Sequence, residues 1–103
     1  MRWFLVAVMV FSHVPPLVAQ TALCASDLAK AGQLVNDVQA RESEFTANGI
    51  AKNCALLRRN RADMIVATEI MQRCLTGHDR GENVGQMTDS LGDVDTILAS
   101  KCR

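Results

Sequence analysis

The sequence predicts an all-α protein: a small antiparallel three-helix bundle stapled by two disulfides, forming one domain over residues 20–103 behind a signal peptide that is cleaved. Three observations lead there. The N-terminus carries the zones of an export signal. From Ser26 onward apolar side chains recur at steps of three and four, and no stretch alternates as a strand does. Four cysteines are spread along a chain of 103 residues, a size at which the hydrophobic core is marginal and cross-links are usually needed.

Arg2 supplies the positive charge of the signal, Trp3 to Phe11 its unbroken apolar run, and Ser12 to Ala19 a polar tail broken by prolines. Cleavage after Ala19 puts Leu17 and Ala19 at the two positions a signal peptidase reads. Cutting after Ala22 would put Gln20 at the outer one. A membrane anchor is the alternative, but nine apolar residues span only about 14 Å against a bilayer core of about 30 Å. A lipid on Cys24 is disfavoured by Leu23 before it, where a lipoprotein signal needs a small side chain. Residues 1–19 are therefore read as signal peptide, and the product as secreted or periplasmic.

Removing 19 of 103 residues leaves 84 and takes away Arg2, so 10 basic side chains face 11 acidic ones. That balance gives no electrostatic footprint for nucleic acid. Phe45 is the one aromatic residue left after cleavage, so stacking platforms for bases are missing too. A membrane-active peptide would show a strongly cationic face, and no stable membrane insertion is expected after cleavage.

The first helix is expected at about 26–47. Leu28, Ala31, Val35 and Val38 form its apolar stripe, with Leu34 beside it and Cys24 one turn ahead. Ser26 is the expected N-cap, Asp27 suits the positive end of the dipole, and Asn48-Gly49 is a stop signal.

The second helix is expected at about 50–76, on a stripe of Ile50, Cys54, Leu57, Met64, Met71 and Leu75 that skips Arg61 and Thr68 and ends at Gly77 in a C-cap position. Ile65, Ala67, Ile70 and Cys74 add a second apolar strip. A helix buried on two sides is the central member of a bundle.

A polar stretch, Thr76 to Glu82, is expected to be a loop. Asn83 with Gln86 resembles a capping box, and Val84, Met87, Leu91, Val94 and Leu98 carry a third helix at about 84–102. Gly85 and Gly92 lie inside it, each costing up to about 1 kcal/mol relative to alanine.

Geometry chooses among the three pairings that four cysteines allow. On one helix, Cys54 and Cys74 stand about 30 Å apart, whereas disulfide-bonded Cα atoms lie within about 7 Å. They also leave that helix about 200° apart, as if toward different neighbours. Folding the first helix back at Asn48-Gly49 brings Cys24 to Cys74. Folding the third back over the second brings Cys102 to Cys54. The predicted bridges are thus Cys24 with Cys74 and Cys54 with Cys102. Pairing Cys24 with Cys54 and Cys74 with Cys102 would require the second helix to break or the first to run parallel to it. A redox role has no support, because no two cysteines share a turn and there is no Cys-x-x-Cys.

Candidate chemistry is sparse. His78 is the one histidine of the mature chain; with Asp79 and Glu82 it falls short of the three or four convergent ligands of a metal site, so no metal is expected. Asp79, Arg80 and Glu82 offer both charges beside His78 on a glycine-flanked loop, which makes 77–83 the first candidate contact surface. Arg58, Arg59 and Arg61, with Lys52 before them, form a basic patch suited to an acidic partner; the bland alternative is a solvated helix face. Arg61 falls on the apolar stripe, so it either reaches out along its stem or pairs with a carboxylate such as Asp95 or Asp37. Met64, Met71 and Met87 could line an adaptable pocket, though methionines at helical spacing are more often plain core.

No nucleophile-and-base pair, zinc-protease motif or phosphate loop is present, and Asp93 and Asp95 face different directions on a helix. The expectation is a protein without catalytic residues or cofactor: an exported interaction or inhibitor-type module whose partner is another exported protein. The alternative is a carrier of a small apolar ligand held near Met64 and Met71.

Overall fold

A computed structural model describes residues 22–49 and 53–102. The signal segment 1–19, Ile50 and Lys52 lie outside the described residues. Three antiparallel helices, α1 (Ala22–Asn48), α2 (Cys54–Cys74) and α3 (Gly77–Lys101), form a rod of 45 × 19 × 18 Å, and no strand occurs among the described residues. Helix α2 is central, with α1 and α3 packed along it.

Helix α1 begins one turn before the expected start, so Ser26 lies inside the helix and exposed rather than capping it, and Cys24 rides on the helix itself. Its end is where the sequence places it. Gly49 takes φ +84°, a conformation that needs no Cβ, and its N–H donates to the Phe45 carbonyl at 2.9 Å. Asn53, just ahead of α2, turns its side chain back to donate to the Gly49 carbonyl at 2.9 Å, which ties the turn to the helix that follows.

The α2–α3 connection is only Leu75 and Thr76, both extended, followed by Gly77 at φ +57°. Gly77 is therefore not a cap left trailing after α2. It opens α3, and its left-handed backbone is what lets the chain reverse so tightly.

Two apolar clusters fill the rod. At one end Leu28 and Ala31 meet Ala67, Ile70, Met71, Cys74 and Leu75; at the other, Val38 and Phe45 meet Leu57, Met64 and Val94. Met87 borders both. The buried line of α2 runs Leu57, Asn60, Met64, Ala67, Met71, Cys74, alternating steps of three and four. The stripe expected from sequence passed through Arg61; the buried member at that level is Asn60, and Arg61 stands to one side, half-exposed.

Both disulfides form as the geometry required. Cys24–Cys74 has its Cα atoms 5.4 Å apart and Cys54–Cys102 has them 5.7 Å apart, so each end of α2 is bonded to a different neighbour. No free cysteine remains. Each bridge spans about 50 residues of chain, a loop for which entropy restriction is worth about 4 kcal/mol at most.

Candidate contact surface

Residues 77–83, expected as a loop, are instead the first two turns of α3. The stretch is polar because it faces solvent, not because it is irregular. Thr76 is the extended N-cap residue, Asp79 sits in the first turn where the dipole favours an acid, and Arg80 N–H donates to the Thr76 carbonyl at 3.2 Å. The capping-box reading at Asn83 and Gln86 is corrected accordingly: Asn83 lies within the helix, and its amide donates to the Asp79 carbonyl at 2.8 Å.

His78 and Glu82 are one turn apart, Nε2 to Oε1 at 3.2 Å, and both are well exposed, as is Arg80. Being helical fixes the directions of these side chains: His78 and Glu82 form one defined polar face, while Arg80, two residues from each, points away from it.

The basic residues sit elsewhere. Arg58, near the start of α2, donates to the Cys102 carbonyl at 2.9 Å and so closes the C-terminal end of α3. Arg59 beside it is exposed. Since α3 has 25 residues and hence a length of about 37 Å, the Arg58–Arg59 pair and the His78–Glu82 face occupy opposite ends of the rod. They are two surfaces, not one. Arg61 leaves the patch altogether by pairing with Asp95 across α2 and α3.

Ion pairs link the central helix to both neighbours. Asp27 of α1 meets Arg73 at 3.1 Å, Arg41 of α1 meets Asp63 at 2.8 Å, and Arg61 meets Asp95 of α3. The Arg41 contact is the least exposed of them and belongs to a network that sequence reasoning missed. Arg41 Nη1 also donates to Asn60 Oδ1 at 2.9 Å, and Asn60 Nδ2 donates to the Val38 carbonyl at 3.4 Å. Asn60 is completely buried. The available signal was its place in the three-four rhythm between Leu57 and Met64.

No family model, curated protein or solved structure matches the chain. Among the described residues no three histidine, cysteine or acidic side chains gather as a metal site would require, and no helix is long and apolar enough to cross a membrane. Met64 and Met71, the residues named for an apolar ligand pocket, are buried in different clusters.

Proposed function

We propose that the chain is an exported, non-enzymatic interaction protein of the inhibitor type, which meets another exported protein through the first two turns of α3. The observation that supports this is the face carrying His78 and Glu82: exposed, helical, and projecting from a frame that two disulfides hold together. Export is favoured by those same disulfides, which persist in oxidising compartments, and by the N-terminal signal pattern. A non-enzymatic role is favoured because every cysteine is oxidised and the described histidine, His78, is paired only with Glu82 on the surface.

The test is to recover the protein from the exported fraction, sequence its N-terminus, and use it as bait. The expected results are Gln20 as first residue and capture of an exported protein by the native chain and by a Lys30→Ala control, but not by a variant with His78 and Glu82 both changed to alanine. Equal capture by both variants would remove α3 from the interface. Co-purified lipid in place of a protein would promote the apolar-ligand carrier.

A further inference from the structure

The two halves of α3 are held very differently. The buried residues of α3, Ser90 and Val94, both lie in its second half. That half is also fastened by the Cys54–Cys102 bridge, the Arg61–Asp95 pair and the hydrogen bond from Arg58 to the Cys102 carbonyl.

From Gly77 to Gln86 no residue is buried, and only Val84 reaches partway into the core. The polar side-chain contacts here, His78 to Glu82 and Asn83 to the Asp79 carbonyl, stay inside the segment. Gly81 and Gly85 weaken it further as helix. Neither is required by close packing, because a Cβ at either position would meet nothing within 4 Å. Just before the segment, Cys74 and Leu75 are buried and Cys74 is bonded to Cys24, so the segment is fixed at both ends.

We infer that residues 77–86 open and re-form as a local unit while α1, α2 and the second half of α3 stay folded. Few apolar contacts, exposed backbone and poor helix formers are the marks of a low-stability unit, and here they coincide between two anchored points. This deepens the proposed function and rests on it in one respect: if the His78–Glu82 face is the contact surface, whatever binds it also orders it, and release of the partner lets it open again.

The test is hydrogen exchange followed by mass spectrometry on the complete, oxidised mature protein without a partner. After correction for intrinsic rates, amides of 81–86 are expected to exchange at least about tenfold faster than those of 91–97. A Gly81→Ala, Gly85→Ala double variant is expected to slow 81–86 by about twentyfold and leave 91–97 within about twofold. Equal protection of the two halves in the native chain would overturn the inference, as would a variant that slows both halves together, since either means that α3 opens only with the whole molecule. Because this experiment needs no partner, a fast segment combined with failed capture would refute the contact surface and leave the opening standing.

Discussion

Arg41 reaches from α1 to Asn60 on α2, Nη1 to Oδ1 at 2.9 Å, at a point where Asn60 has no exposed surface. The same nitrogen donates its other hydrogen to Asp63 at 2.8 Å. A buried amide with an exacting partner is costly to misplace, so the network sets the register of α1 against α2 as a single polar residue does in a coiled-coil seam. Replacing Arg41 with Met leaves Asn60 and Asp63 without their donor and is expected to cost about 2–3 kcal/mol in urea denaturation. Adding Asn60→Leu should recover about 1 kcal/mol or more of that loss in a double-mutant cycle. Strict additivity would mean that the two side chains act independently.

The Arg61–Asp95 pair provides a contrast. Its side chains are 42% and 53% exposed, so water and salt screen it. Arg61→Ala is expected to lower stability by no more than about 0.5 kcal/mol, and by less in molar salt.

The two disulfides should differ in accessibility and in weight. Cys74 is buried whereas Cys54 and Cys102 are each only partly covered, so mild reductant followed by alkylation should label Cys54 and Cys102 first. Removing either bridge by a double Cys→Ala change is expected to cost about 2–4 kcal/mol. The Cys24, Cys74 variant should lie at the higher end, because it also opens a void among Ile70, Met71 and Leu75.

Much of this architecture was legible in the sequence because periodicity and cysteine spacing report on the same geometry. The disulfide pairing followed from one long central helix and two reversals, and Gly49 marks the first reversal as expected. What stayed hidden was local. Asn60 is polar, so an apolar count steps over it even though Leu57 and Met64 flank it at the right spacing. Gly81, Asn83 and Gly85 read as loop formers, which puts the expected start of α3 seven residues after Gly77, and on a helix facing solvent there is no apolar stripe to contradict them. The Arg41 contact depends on how α1 lies against α2, which no local pattern encodes.

Two glycines of α3 should respond oppositely to the same change. Gly92 is exposed with open space around it, so Gly92→Ala is expected to raise stability by about 1 kcal/mol. Gly77 holds φ +57°, and Gly77→Ala should lower stability by about 1 kcal/mol or more despite equal room for the methyl group. Thermal unfolding monitored by circular dichroism separates the two.

Core volume at Met64 is a further test. With 1% of its surface exposed, Met64→Ala is expected to cost about 2–5 kcal/mol, whereas Met64→Leu should cost less than about 1.5 kcal/mol. A Met64→Ala protein of undiminished stability that retains a lipid would favour the carrier reading.

The crossed arrangement of the two bridges also governs what happens when the backbone is cut. A nick between Cys24 and Cys54 leaves its two pieces joined through Cys24–Cys74, one between Cys74 and Cys102 leaves them joined through Cys54–Cys102, and one between Cys54 and Cys74 leaves both bonds spanning the gap. The alternative pairing, Cys24 with Cys54 and Cys74 with Cys102, would let a single cut in α2 divide the molecule. As built, no single proteolytic event between residues 24 and 102 can release a fragment, so a nicked chain keeps its mass until it is reduced.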